Sequence, residues 1–453
     1  MNKLTENQKI FYILAAGVLV RLLYIIFMPV VNFAQYDLGS VYWDHEVLTG
    51  HMGYVLYLVK YHALPDFDVR EVYQFNHPPV HYIISALVVS LVRLFTDDVS
   101  VWGESVQIVS FVYSVITLFA VERILTEFKA PYEGKALGLI LWAFQPTLIM
   151  TAGSVNNDGA GLMFQVLALW FALRWYKTRK YGDIFGVALT IGFGMLSKLS
   201  AGLVAVPIGL LFIYAFVKKW KDEKAFPVKM LIQYIVFGCV VAPIGLCWVI
   251  RLYVKWGVPP TYIAYLPTTS PQYVGMYSAF ERLGPPNLVT LLKNLSHGGI
   301  GMGWNIWIQL WRTSSLGECD LSAFPVWGKL LCLFMMGINL VVMIWAFVAF
   351  IRIFCKKKMS FGKNPAFMKI SMGILWVGTW FVMMYSYLSF ANKYPHECSM
   401  NFRYVQLAIL PPLLALSLGG VSSKKVLSVL RKLVVLAYVV ASVGIIVTWC
   451  YVA

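Results

Sequence analysis

The sequence predicts an all-α polytopic membrane protein, and three observations carry that prediction. Of 453 residues, 59% are hydrophobic and only 13% charged, about half the charged share of an average soluble domain, which is near 25%. Apolar runs of roughly 20 residues recur along the whole chain, the length an α-helix needs to cross a bilayer. The formal net charge of +16 is gathered in short basic clusters between those runs. That distribution marks membrane topology rather than a nucleic-acid footprint, so no nucleic-acid partner is expected.

The apolar runs cover about 10–31, 79–95, 104–122, 136–152, 159–176, 183–197, 200–217, 230–252, 326–351, 368–390, 403–420 and 433–452. The first follows the basic start MNKLTENQK but is longer than a signal-peptide core, and no small-residue cleavage site follows it. It reads as an uncleaved span. Most of the 37 lysines and arginines lie at Arg123–Lys135, Arg174–Lys180, Lys218–Lys229, Arg352–Lys369 and Lys424–Lys432, or at Lys3 and Lys9. If the run 79–95 crossed the bilayer, every later cluster would face away from Lys3 and Lys9. If it lies in the interface, all clusters share one face, as cytoplasmic lysine and arginine do. The run is short, follows His77-Pro78-Pro79 and carries His81 and Arg93, which suits an interfacial helix. About eleven spans follow, with the N-terminus inside and the C-terminus outside, the chain ending within span eleven.

This topology places 32–78, 153–158, 198–199, 253–325 and 391–402 outside. The stretch QYDLGSVYWDHEVLTGHMGYVLYLVKYHALPDFDVREVYQFNHPPVHY, from Gln35 to Tyr82, holds six acidic residues and five of the chain's seven histidines. The loop 253–325 carries Pro259-Pro260, Pro285-Pro286 and GMGWNIWIQLW; long loops over a membrane act as lids or bear function, and tryptophans at that depth settle in the interface. The seven cysteines include no CxxC. Most lie in apolar runs as small hydrophobes; Cys319 and Cys398 fall in outer loops, where an oxidising face permits a pair, and the sequence leaves that pairing open. There is no internal repeat.

Several residues are candidates for chemistry. Asp37 follows the first span closely, and a carboxylate there can serve as general base to an acceptor hydroxyl if nearby cations keep it ionised. The plain alternative is a solvated aspartate or a helix N-cap. Asp44, His45 and Glu46 compete with it; three adjacent residues do not readily all face one metal ion. His77, in Asn76-His77-Pro78-Pro79, sits where proline starts a helix at no cost in hydrogen bonds and where a helix dipole favours a phosphate. Asp158, in Asn156-Asn157-Asp158-Gly159, reads either as a turn and cap or as a second acidic site. Lys198 interrupts two apolar runs, and Arg403 opens another. Cations at a membrane edge are costly and mark function by default, and two on one face would grip a lipid phosphate; for each alone, snorkelling to headgroups is an equal reading. Arg21, midway along the first span, points into the bundle with no partner evident.

The acidic loop after span one, the His-Pro-Pro start, the second outer aspartate and Asn401-Phe402-Arg403-Tyr404 together resemble GT-C fold glycosyltransferases. The chain is most similar to the protein O-mannosyltransferase and aminoarabinose transferase branch, the glycosyltransferase family 39-like enzymes. The likeness is strongest over residues 1–220, a GT-C-like transmembrane module with the outer loop 32–78 and the interfacial helix 79–95. Residues 221–453 form a variable transmembrane module, matching in hydropathy and at NFRYV, without the long soluble C-terminal domain of some GT-C enzymes. The resemblance assigns the base to Asp37 and the second acid to Asp158. The branch often has Asp-Glu at the first site, whereas Leu38 follows Asp37 here, so Asp44 remains an alternative base. It also implies a polyprenyl-phosphate sugar donor and inversion at the anomeric carbon.

The reading is therefore a membrane glycosyltransferase that moves a monosaccharide from a polyprenyl-phosphate carrier to a hydroxyl of a lipid, glycan or protein acceptor at the outer face. Asp37 takes the acceptor proton, while Lys198, Arg403 and His77 hold the donor phosphate. No cofactor is required; side-chain cations cover a monophosphate, and a divalent metal is compatible but not expected. The alternative is a transporter or flippase of a lipid-linked sugar, but such folds show internal repeats and paired broken helices. A purely structural membrane subunit would not need the acid-rich first loop.

Overall fold

The computed structural model describes residues 4–30, 48–264, 266–287, 289–290, 302–317, 324–355, 365–421 and 424–452. Asp37, Asp44, His45, Glu46 and Cys319 lie outside these residues. Within them the chain is helical, apart from one isolated β-bridge between Tyr273 and His396.

Seven helical stretches are long and apolar enough to cross a membrane: Glu6–Phe27, Val99–Glu127, Leu199–Glu223, Val228–Trp256, Val326–Cys355, Ser371–Lys393 and Lys425–Tyr451. The difference from the eleven expected lies in four apolar runs. The run 136–152 is broken into helices Tyr132–Ala143 and Pro146–Thr151. The run 159–176 becomes Asp158–Thr178, largely buried and carrying Gln165 and Arg174. Tyr181–Ser197 has only 17 residues, and the run 403–420 begins with 3-10 turns before helix Leu410–Gly419. A further short helix, Val80–Val92, has 13 residues. At 1.5 Å per residue it spans about 20 Å, short of the roughly 30 Å hydrocarbon layer.

Helix entry follows local chemistry. Thr5 opens the first helix with a capping box, its hydroxyl accepting from Gln8 N at 3.3 Å while Gln8 Oε1 accepts from Thr5 N at 2.8 Å. Between helices in lipid there is little hydrophobic drive, so close backbone approach at small residues matters more. Gly134 and Gly138 illustrate this, because a methyl group at either would collide with Ser417 of the Leu410–Gly419 helix.

The break at Phe144–Gln145 shows why the first span carries an arginine. A helix that ends inside the bundle leaves its last carbonyls without partners, and the bilayer supplies none. Arg21, fully buried, donates from Nη1 to Ala143 O at 2.6 Å and Gly17 O at 2.9 Å, and from Nη2 to Trp142 O at 3.5 Å; its Nε donates to Ser114 Oγ at 2.8 Å. Tyr438 OH reaches Leu141 O at 3.3 Å, and Ser442 Oγ donates to Phe144 O. The next helix starts on Gln145, whose Oε1 accepts from Leu148 N at 2.8 Å. The partners of Arg21 are thus the carbonyl ends of a broken helix, where a cation also suits the helix dipole.

Candidate active site

Three elements distant in sequence bring charged side chains to one place. The first is the loop Ala152–Asn157 and the start of helix Asp158–Thr178. His81 Nε2 donates to Val155 O at 2.8 Å, Ser110 Oγ donates to Ser154 O, and Asn156 Oδ1 accepts from Asp158 N at 2.9 Å. Asn157 is the N-cap but makes no cap with its side chain; instead its Nδ2 donates to Ser197 O at 2.8 Å. That bond ties this loop to the second element, the end of helix Tyr181–Ser197. There Lys198 turns extended before the 3-10 stretch Leu199–Val204.

The third element is the run of 3-10 turns from Glu397 to Ile409. Asn401 Oδ1 accepts from Arg403 N at 2.9 Å, and Thr313 Oγ1, on helix Ile306–Leu316, accepts from Phe402 N at 2.9 Å. Gln406 Nε2 donates to Thr151 Oγ1 at 2.7 Å. The run is therefore pinned to the helix broken at Gln145 on one side and to Ile306–Leu316 on the other.

At their meeting point Lys198 Nζ contacts Asp158 Oδ1, and Arg403 Nη1 stands 3.8 Å from Asp158 Oδ2. Arg403 Nη2 donates to Tyr404 OH at 2.8 Å, and the Tyr404 ring lies 4.8 Å from the guanidinium and 5.2 Å from Lys198 Nζ. A cleft opens here, lined by these four residues with Gln165, Gln406 and the apolar Leu162, Met383 and Leu407. Two cations beside an apolar wall are a counterpart to an anionic lipid headgroup, and here the Asp158 carboxylate faces both of those cations.

His77 is placed differently. It is not among the described residues lining the cleft. Its Nε2 donates to Gln74 Oε1 at 2.6 Å, and its ring stacks on His51 at 5.3 Å. His51 Nδ1 pairs with Tyr82 OH at 2.6 Å, and Tyr54 stacks on Tyr82 at 4.2 Å. Burial first, and then the charges of His77, Arg403, His81 and Lys198, hold His51 well below the usual imidazole range. Burial also pushes His81 down to about 4, against its bond to Val155 O, which acts the other way; it holds the Asp158 loop as a neutral donor.

Of the residues singled out from sequence, Asp158, Lys198 and Arg403 come together, and Asp158 acts on cations rather than as the cap of its own helix. Sequence reasoning missed Gln165 and Gln406. Asp158, Gly161, Leu162 and Gln165, all lining the cleft, follow the i, i+3, i+4, i+7 spacing of one helix face, a signal legible in hindsight. Among the described residues no cluster of three or more metal-ligating side chains occurs.

Residues 76–248 match the family described as dolichyl-phosphate-mannose-protein mannosyltransferase. The matched stretch contains His77, His81, Asp158 and Lys198, whereas Arg403 lies beyond it. No curated protein sequence matches the chain. Among solved structures it is similar to the archaeal oligosaccharyltransferase AglB from Archaeoglobus fulgidus in complex with an inhibitory peptide and a dolichol-phosphate, with a TM-score of 0.49 and 12% identity over 98% of this chain and 56% of that one. It is similar to the apo oligosaccharyltransferase of the same organism, with a TM-score of 0.47 and 14% identity over 96% and 56% of the two chains. The apo ArnT from Cupriavidus metallidurans gives a TM-score of 0.39 and 13% identity over 97% and 77%. The chain thus spans little more than half the length of the two oligosaccharyltransferases.

Proposed function

We propose that this chain, which over residues 76–248 matches the dolichyl-phosphate-mannose-protein mannosyltransferase family, is a multi-pass membrane glycosyltransferase that transfers a monosaccharide from a polyprenyl-phosphate carrier to an acceptor hydroxyl at the outer membrane face. The observation that carries the reading is the convergence of Lys198 and Arg403 on one cleft with an apolar wall. A polyprenyl-phosphate sugar is a phosphodiester with one negative charge and a hydrophobic tail, and the cleft offers a counterpart to both.

In the reaction the acceptor oxygen attacks the anomeric carbon as the bond to the phosphate oxygen breaks. Negative charge grows on the leaving phosphate, and Lys198 and Arg403 stabilise it there, Arg403 as a fork and Lys198 as a point charge. Asp37 takes the acceptor proton, with Asp44 as the alternative base. Attack opposite the leaving group inverts the anomeric centre. His77 lies in the histidine stack, outside the described residues that line the cleft, and takes no step in this scheme. The scheme uses no divalent metal.

The test is transfer from a radiolabelled polyprenyl-phosphate sugar in liposomes. Asp37→Asn keeps size and hydrogen bonding but removes the proton acceptor, so turnover falls by roughly 10²–10⁴-fold while donor binding survives. Arg403→Ala and Lys198→Ala weaken donor binding, and Arg403→Lys restores it only in part. A normal Asp37→Asn with a dead Asp44→Asn moves the base to Asp44. If neither change affects transfer, the reading fails.

A further inference from the structure

We infer that Asp158 is an internal stand-in for the donor phosphate: it pairs with Lys198 and Arg403, yields Lys198 when the lipid phosphate arrives, and reclaims it to expel the product. The inference rests on the assignment of Lys198 and Arg403 to that phosphate.

Both carboxylate oxygens of Asp158 face cations, Oδ1 toward Lys198 Nζ and Oδ2 toward Arg403 Nη1 at 3.8 Å. The cleft opens beside the same three groups, so an incoming anion and this carboxylate compete for the same donors. Which partner moves is decided by the exposure and reach of each side chain. Asp158 is fixed through its own N–H on Asn156 Oδ1 at 2.9 Å, through His81 on Val155 O at 2.8 Å, and through Asn157 on Ser197 O at 2.8 Å. Arg403 is fixed through Asn401 Oδ1 at 2.9 Å and Tyr404 OH at 2.8 Å.

The Lys198 side chain is the most exposed of the three, at 16% against 4% for Asp158 and 3% for Arg403. Its flexible stem runs past Gly161, where an added Cβ would stand 3.2 Å from Lys198 Cδ. A lysine arm is a mobile point charge with three donors, whereas the guanidinium is a planar fork already engaged. Lys198 is thus the group that exchanges one anion for the other. Asp158 is a positioning residue acting through it, and its cost to donor affinity is the counterpart of fast product release.

This predicts effects of opposite sign on binding and turnover. The probe is farnesyl phosphate, titrated into the full chain in detergent micelles. Asp158→Asn and Asp158→Ala bind it about tenfold more tightly or better, Asp158→Glu restores wild-type affinity, and in the neutral variants steady-state transfer drops below the single-turnover rate because release becomes limiting. Thermal unfolding of each variant confirms that folded protein is compared. Unchanged or weaker binding in both neutral variants overturns the inference while leaving the phosphate assignment intact. Wild-type affinity in Lys198→Ala and Arg403→Ala is a different result, which overturns the assignment and the inference with it.

Discussion

Replacing Arg21 by methionine tests how much that guanidinium stabilises the broken helix. Methionine fills much of the same volume, so the loss is polar rather than steric. It removes donors from Ala143 O at 2.6 Å, Trp142 O at 3.5 Å and Ser114 Oγ at 2.8 Å. An acceptor left buried without a partner costs about 1–3 kcal/mol. Ala143 O is the short, charge-assisted contact and bears the upper part of that range, whereas Trp142 O keeps the Gln145 N–H at 3.5 Å and adds little. Against this, removing a buried cation returns its desolvation cost, an effect that makes some buried charges replaceable at no loss. The carbonyls remain in place whatever the side chain, because the break is set by the backbone at Phe144–Gln145 and Pro146. The orphan term therefore outweighs the relief, and Arg21→Met is expected to destabilise the protein by about 3 kcal/mol. Arg21→Lys, able to reach only part of the set, falls between, and Ser114→Ala costs about 1 kcal/mol. The assay is reversible unfolding in mixed micelles across the three variants. An Arg21→Met protein as stable as wild type, or more so, would falsify the account of the break.

Two further expectations follow from the site and its flank. His81 has a usual imidazole value of 6.5 and is pushed down to about 4 in the fold, so between those values the unfolded chain binds a proton that the folded chain refuses. Its stabilising contribution is present above pH 6.5 and is lost as pH falls toward 4, roughly 3 kcal/mol in full, with His51 acting in the same direction. Melting temperatures from pH 7 to 4.5 should fall less steeply for His81→Gln than for wild type, and equal slopes would remove His81 as the cause. For topology, cysteines placed at the exposed positions Lys60 and Asp98, on either side of the 13-residue helix Val80–Val92, should react alike with an impermeant thiol reagent. Opposite accessibility would mean that the segment crosses and would dissolve the common outer face.

The membrane class and the all-α fold were legible because burial in lipid writes itself locally, as apolar runs separated by basic clusters. Asp158, Lys198 and Arg403 were legible for the converse reason: a charge at a membrane edge costs enough that its presence needs an explanation wherever it sits in the chain. Their convergence was not legible. It depends on how Tyr181–Ser197 ends, how the turns after Glu397 are pinned to Thr313 and Thr151, and how His81 holds Val155, and each of those contacts joins residues far apart in sequence. The span count diverged at the runs where apolar composition continues but the helix does not, as at Gln145, since composition records hydrophobicity and not backbone continuity. Arg21 shows the limit most clearly. The sequence placed it in the bundle but named no partner, because its partners are main-chain carbonyls. Every residue carries one, and only the tertiary structure decides which are left unbonded.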